Sequence, residues 1–480
     1  MKKRTKIVCT LGPATCTLPI IKKMIESGMN VARCNFSHGT YAEHKKLITN
    51  VRKASKALSE TVAVIQDLQG PKIRVGVLPD EGLVLKVETK VVFDTAITDY
   101  KAKKNIPVDY SELHKYVKKG ERMFFDDGRL EVKITKISGT KIETEVVTGG
   151  KLFKHKGINV PDSKLIVRAL TKKDTKDVLC GIQNKVDFIA LSFVRNADDI
   201  LDLRYLIKDY EKKLKIIPKQ PIKIIAKIER SEAVKNIKEI LEVADGIMVA
   251  RGDLGVEIPP EKVPLVQKQL IDECLLAAKP VIVATQMLDS MQDNLRPTRA
   301  EVSDVANAVV DHTDAVMLSN ETATGNYPIE TIKMMSNIIL ETEKSIYDDL
   351  EISKYVVKKK KVDEVVSEMS KILAERIGAK AILVASISGD TARLISRHRP
   401  ELPIMVVTNL DRAKNQLILS WGVCPFILST CKTIEELVER SISYLKKKKY
   451  MKKNDQIIVV AGDPVGKAGN VNLLEIREIK

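Results

Sequence analysis

The chain has 480 residues, more than one core carries at ~100–200 residues per domain, so two or three domains are expected. Apolar residues make up 44% and charged residues 30%, an ordinary soluble balance, and no apolar run reaches the roughly 18–20 residues that span a bilayer, so no membrane partner is expected. The net charge of +17 raises nucleic acid as a partner, but the lysines are spread along the whole chain and aromatics are only 4%; solvated lysine faces and attraction of anionic substrates are expected instead.

In chain order, MKKRTKIVCTLG opens with basic residues, but Gly12 and Pro13 arrive too soon for the apolar region of a signal peptide, and KIVCTLG (6–12) reads as a first strand. Seven more short apolar runs follow: VARCNFS (31–37), VAVIQDL (62–68), VDFIALSF (186–193), IKIIAKIE (222–229), GIMVARG (246–252), VIVATQ (281–286) and AVMLSN (315–320). They are rich in Val and Ile and nearly continuous, as suits parallel strands covered on both faces. Helix-patterned segments such as LPIIKKMIESG and AEVSDVANAVV fill most of the gaps, so a (β/α)8 TIM barrel is expected.

The stretch between the third and fourth runs is too long for one crossover. Its LVLKVE, RLEVKITKI and KIETEVV alternate in polarity between turns such as DDG and TGG, the pattern of a small inserted β-barrel placed as a lid over the barrel mouth. Near residue 350 a linker and an amphipathic helix ending at Gly378 lead into runs at 381–386, 403–408, 424–429, 456–462 and 472–479, a mostly parallel open α/β sheet. The expected division is 1–70 and 169–345 for the barrel, 71–168 for the lid and 346–480 for the C-terminal domain.

The seven cysteines include no CxxC pair, and Cys9, Cys34 and Cys274 lie in apolar runs, so reduced core thiols and a cytoplasmic location are expected. The six histidines lack zinc-finger spacing. AGDPVGKAGN (461–470) misses the phosphate-binding GxxxxGK[ST] spacing and precedes a strand, so it is set aside.

Barrel enzymes keep their chemistry at the C-terminal strand ends. Those ends carry Arg33, Asn35, Ser37 and His38; then Asp67, with Lys72 and Arg74 beyond; then Ser192, Phe193 and Arg195. Lys227 and Glu229, Arg251 and Asp253, Thr285 and Gln286, and Ser319 and Glu321 follow. Lys227 and Glu229 share one strand face. Such charges are costly to bury unless paired or metal-bound: one reading is a buried structural ion pair, and the preferred, functional reading is a cation for a phosphoryl group beside a metal carboxylate. Glu229 and Asp253, from neighbouring strands, suit Mg²⁺ or Mn²⁺. Gly252 allows close backbone approach.

At these residues the chain resembles the pyruvate kinase family. The matching strings are KIVCTLGPAT (6–15), GMNVARCNFSHG (28–39), DLQGPKIR (67–74), KGINVP (156–161), FIALSFVR (188–195), IIAKIER (224–230), DGIMVARGDLGVEIP (245–259), ATQMLDSM…PTRAEVSDVANAV (284–309) and AVMLSNETATGNYP (315–328). The resemblance implies transfer of a phosphoryl group from phosphoenolpyruvate to ADP, giving pyruvate and ATP. Arg33 and Lys227 would hold the phosphoryl group, and Glu229 and Asp253 the divalent ion. Gly252, Asp253, Thr285 and Ser192 would hold substrate, with enolate protonation near Thr285, Ser319 and Glu321. Asn35, His38, Arg74 and Lys156 would approach the nucleotide, with which a second Mg²⁺ arrives. A homotetramer is implied.

Many members bind K⁺ through groups matching Asn35, Ser37, Asp67 and the carbonyl of Leu68, and read DTKGPEIRT where this chain has DLQGPKIRV. Lys72 in place of that Glu resembles the Lys-type branch that works without K⁺. Two further departures stand out. Asn320 replaces the commoner Gly or Ala, and Asp390 stands where a cation often helps bind a phosphorylated allosteric effector at SISGDT (386–391). Other readings are a phosphomutase-like barrel using phosphoenolpyruvate, or an inactive relative acting as a metabolite sensor.

Overall fold

The computed structural model describes residues 3–100, 104–126, 128–163, 168–350, 361–462 and 471–480. The eight expected runs form a closed parallel barrel: Lys6–Leu11, Val31–Asn35, Ala63–Asp67, Phe188–Leu191, Lys223–Ile228, Gly246–Ala250, Val281–Ala284 and Ala315–Leu318. Neighbours in sequence pair in space, and the first strand closes on the eighth.

Local signals start and stop the intervening helices. Thr40 with Glu43, Thr171 with Asp174 and Thr298 with Glu301 form reciprocal caps at the starts of Tyr41–Leu58, Lys172–Gln183 and Arg299–Val310. Leu18–Ser27 ends on Gly28, whose φ of +123° needs a residue without a Cβ.

Strand alternation sorts the side chains. Val8, Val31, Ala63, Ile65, Phe188, Ala190, Ile225, Met248, Ile282, Ala284, Ala315 and Met317 fill the barrel interior, while Ile7, Cys9, Ala32, Cys34, Val64, Ile189, Ile224, Ala226 and Ile228 pack against the helices. Ile418 and Leu419 of the C-terminal domain join the interior cluster and close one end. That junction is tied by Asp314, which accepts from the Trp421 N–H at 2.9 Å and the Arg399 guanidinium at 3.0 Å.

The inserted domain divides its strands between two sheets on one core. Ile158–Asn159, Arg122–Phe125, Leu130–Ser138, Lys141–Thr148, Lys90–Asp94 and Ile106–Pro107 form one; Gly150–Leu152 pairs with Leu83–Leu85 in the other. Leu85, Phe93, Phe125, Val132, Ile142 and Leu152 lie in the shared core. Its two connections to the barrel pair with each other: the Val75 N–H donates to the Lys156 carbonyl and the Ile158 N–H to the Ile73 carbonyl, each at 2.9 Å.

The C-terminal sheet contains Ala381–Ala385, Ile404–Thr408, Val423–Ile427, Gln456–Ala461 and Leu473–Glu478. Four strands are parallel, and the last runs antiparallel at the edge. The helix Val362–Arg376 ends just before Gly378, as expected. The preceding lysine run up to residue 360, and residues 463–470 of AGDPVGKAGN, lie outside the described residues. The cysteines are all free thiols, and burial pushes the Cys34 thiol up to about 12.

Candidate active site

The inner row of each strand runs from apolar floor to polar rim. Above Val8 comes Thr10, above Val31 comes Arg33, above Ile65 comes Asp67, above Ala190 comes Ser192, and above Ile225 comes Lys227. One step past an apolar floor, five strands therefore present polar atoms to one another in a place with little water.

They meet. Arg33 donates through Nε to Asp67 Oδ2 at 2.7 Å and through Nη1 to Thr10 Oγ1 at 2.8 Å. Lys227 Nζ lies 3.4 Å from Asp67 Oδ1 and 2.8 Å from Glu229 Oε1, and donates to Ser192 Oγ at 2.8 Å. Ser192 Oγ in turn donates to the Leu68 carbonyl at 2.7 Å. The two cations expected to act on one phosphoryl group thus share one buried carboxylate.

The electrostatics follow from that packing. Burial pushes the Lys227 pKa down, but the charges of Asp67 and Glu229 outweigh it and hold that pKa above the ordinary lysine value. Burial likewise favours the neutral form of Asp67, and Lys227 and Arg33 reverse this, so its carboxyl sits below the usual range. Glu229 is 1% exposed and accepts the Phe193 N–H at 2.7 Å. Burial raises its pKa and the negative charge of Asp253 adds to that, while Lys227 opposes both. A buried carboxylate that feels the negative charge of a second one favours a divalent cation between them, so the donor set fits Mg²⁺ or Mn²⁺. Among the described residues no group of three or more His, Cys, Asp or Glu offers a fuller protein cage.

Lys72 is not turned to solvent. Its Nζ pairs with Asp253 Oδ1 at 3.1 Å, and its stem crosses Gly157 of the lid connection so closely that a Cβ there would lie 2.7 Å from Lys72 Cε. Of the groups matching a monovalent-cation site, Asp67, the Leu68 carbonyl and Asn35 are engaged within the chain. Asn35 Oδ1 accepts the Ser37 N–H at 3.1 Å.

Toward the lid, removal from water and the charges of Arg74, Arg33 and Lys173 depress the pKa of His38. Arg74 Nη1 donates to the His155 carbonyl at 2.9 Å, and Lys156 pairs with Asp126 at 2.7 Å, so both cations sit at the lid connection. At the seventh strand end, Thr285 Oγ1 accepts the Gly252 N–H at 2.8 Å, where the short helix Arg251–Glu257 begins. Glu321 is different: its carboxylate is 1% exposed and accepts the Ser319 N–H at 2.6 Å and the Leu288 N–H at 3.3 Å, so it ties two loops together. Asn320 is exposed, which explains how the bulkier side chain is accommodated. In the C-terminal loop, Asp390 is paired with Arg393 and accepts from Ser388 Oγ at 2.5 Å.

Thr10 was not singled out from sequence, although the inward alternation Val8–Thr10 marks it. The partnership of Lys72 with Asp253 carries no such signal, because it depends on how the lid connection crosses the barrel rim.

A closed parallel barrel with a lid, two buried cations on one carboxylate and a pair of carboxylates alongside defines a phosphoryl-transfer barrel enzyme. Residues 2–332 match the family model described as pyruvate kinase, barrel domain, and residues 364–477 that described as pyruvate kinase, alpha/beta domain. A pyruvate kinase of Geobacillus stearothermophilus is 42% identical over 482 residues, covering 100% of this chain and 81% of that one. One of Staphylococcus saprophyticus is 43% identical over 477 residues, with 99% and 80% covered. A crystal structure of a pyruvate kinase from Cryptosporidium parvum superposes with a TM-score of 0.91 at 35% identity, covering 100% of this chain and 96% of that one. The chain belongs to the pyruvate kinase family, and its reaction is phosphoryl transfer from phosphoenolpyruvate to ADP.

Proposed function

We propose that Lys227 and Arg33 are the two cations that carry this transfer, with Glu229 and Asp253 holding Mg²⁺ or Mn²⁺. The observation that supports this best is the convergence of both cations on Asp67. A terminal phosphate oxygen of ADP attacks the phosphorus of phosphoenolpyruvate, the bond from phosphorus to the enol oxygen breaks, and the electron pair leaves as the enolate of pyruvate. Lys227 and Arg33 neutralise the equatorial oxygens while charge is spread over them, and Lys227 stays beside the enolate oxygen. A divalent ion held by the two carboxylates would supply further neutralisation of the same oxygens. Ser192 fixes the Lys227 ammonium. Thr285, with the N–H groups of Gly252 and Asp253, holds the substrate carboxylate, and carbon is protonated on that side. Asn35, His38, Arg74 and Lys156 receive the nucleotide beneath the lid.

The barrel comprises 1–70 and 169–345, the lid 71–168 and the C-terminal domain 346–480, a division supported by the lid's own core and the C-terminal domain's own sheet. The protein works in the cytoplasm, to which its free cysteines are suited, and assembles as a homotetramer. No helix of the described residues is long and apolar enough to cross a membrane.

K⁺ is not required, because the tethered ammonium of Lys72 supplies a fixed positive charge at the rim without a binding step. The test is pyruvate release from phosphoenolpyruvate and ADP, coupled to lactate dehydrogenase, in a Mg²⁺-containing tetramethylammonium buffer. Turnover is expected there, changing less than about tenfold when K⁺ is added. A larger rise would contradict the assignment of Lys72, and no turnover in either buffer would contradict the whole reading.

At the C-terminal loop, an effector phosphate must displace Asp390 before it meets Arg393, so fructose 1,6-bisphosphate is expected to activate weakly or not at all. Strong activation at micromolar concentration in the same assay would show that Asp390 yields.

A further inference from the structure

Thr285 stands in a backbone conformation that β-branched residues seldom adopt, with φ of +73°, and Gln286 follows at +55°. Two consecutive residues of this kind persist only where their surroundings hold them. The hold comes from a residue with no part in the chemistry described above. Arg251 Nη2 donates to the Thr285 carbonyl at 2.8 Å. Its guanidinium is gripped in turn by Asp304, with Nη1 on Oδ1 and Nη2 on Oδ2, each at 2.7 Å. Gln267 Oε1 lies a further 3.4 Å from Nη1.

Asp304 is fixed by its own helix. Arg299–Val310 starts at the cap formed by Thr298 and Glu301, and Glu301 also accepts the Ser290 N–H at 2.7 Å, so the helix is bound to the loop beyond the seventh strand. Thr285 is therefore held at three points: its carbonyl accepts from Arg251, its hydroxyl oxygen accepts the Gly252 N–H, and its hydroxyl donates to the Ala284 carbonyl at 2.6 Å.

We propose that Arg251 and Asp304 are positioning residues for Thr285. The bidentate Asp304–Arg251 pair locks the left-handed backbone of Thr285, and that backbone aims its hydroxyl at the first turn of Arg251–Glu257. This rests on the reading above that Thr285 serves the substrate carboxylate and the protonation step. Neither positioning residue touches substrate. Without the lock, the backbone relaxes toward negative φ and the hydroxyl leaves Gly252. Charge-assisted forks of this kind depend on both partners: Asn presents one oxygen and a repelled NH₂, and Lys cannot form the fork.

The test uses Asp304→Asn, Arg251→Lys, Thr285→Ala and the double variant Thr285→Ala/Asp304→Asn, in steady-state turnover and in deuterium exchange at the methyl of pyruvate. Small misplacements of a positioned group cost up to about 10²-fold, so Asp304→Asn and Arg251→Lys are each expected to lower kcat and methyl exchange together by about tenfold or more. KM for ADP should stay within about twofold, because the nucleotide side is untouched. The double variant should be no slower than Thr285→Ala alone. Additive losses in the double variant, or a rise in KM for ADP matching the fall in kcat, would mean a merely structural pair. Wild-type turnover and exchange in both clamp variants, with Thr285→Ala impaired, would overturn the clamp alone. Wild-type rates in Thr285→Ala would overturn the assignment of Thr285 and the clamp with it.

Discussion

Replacing Lys227 by methionine is expected to leave a folded protein whose phosphoryl transfer has fallen on the order of 10³-fold, about 4 kcal/mol of transition-state stabilisation. Methionine matches the length of the aliphatic stem and keeps the interior filled. What is lost is an ammonium 2.8 Å from Glu229 and 3.4 Å from Asp67, held protonated by both. Arg33 remains on Asp67, so the floor of the site keeps one of its two cations. Losses should therefore concentrate on kcat for transfer, where charge develops. Proton exchange at the methyl of pyruvate should fall less, because it needs no phosphoryl group. The coupled assay and deuterium exchange followed by NMR measure the two steps separately. More than about a tenth of wild-type turnover would remove Lys227 from the transfer step.

Glu229→Gln and Asp253→Asn are each expected to weaken Mn²⁺ binding in the presence of phosphoenolpyruvate by about tenfold or more, and to lower turnover by on the order of 10²-fold. The amides are nearly isosteric with the carboxylates. In Glu229→Gln the amide oxygen can still accept the Phe193 N–H that Glu229 accepts now, so the fold should survive. Each substitution removes one hard anionic oxygen from a site with two protein carboxylates. Asp253→Asn also lifts the repulsion that raises the Glu229 pKa, an effect that favours rather than weakens a cation at Glu229. Electron paramagnetic resonance of free Mn²⁺ gives the affinity directly. If both variants bind Mn²⁺ as the wild type does, these carboxylates are not its ligands.

Much of this was legible in the sequence because a parallel barrel writes its strands as continuous apolar runs and its chemistry as the residue one inward step beyond them. Lys227 and Glu229 were conspicuous for that reason: charges two apart at the end of IKIIAKIE share an inward face. The lid was legible as a kind of domain but not strand by strand. Ile106–Pro107, Gly150–Leu152 and Ile158–Asn159 are too short to show a period and exist only through their partners. Pairings across the rim were not legible either. Lys72 with Asp253 and Arg251 with Asp304 join residues far apart in the chain, and their spacing says nothing about which carboxylate each cation meets. Glu321 is the opposite case. It stands where catalytic groups gather, yet its oxygens are occupied by backbone N–H groups.

The most direct test of the central claim follows phosphorus and carbon together. With phosphoenolpyruvate, ADP and Mg²⁺, ³¹P NMR should show the phosphoenolpyruvate signal replaced by the γ-phosphate of ATP, with pyruvate appearing in equal amount and no inorganic phosphate. Pyruvate accompanied by inorganic phosphate instead of ATP, or a new phosphorylated carbon compound without pyruvate, would contradict transfer to ADP at this site.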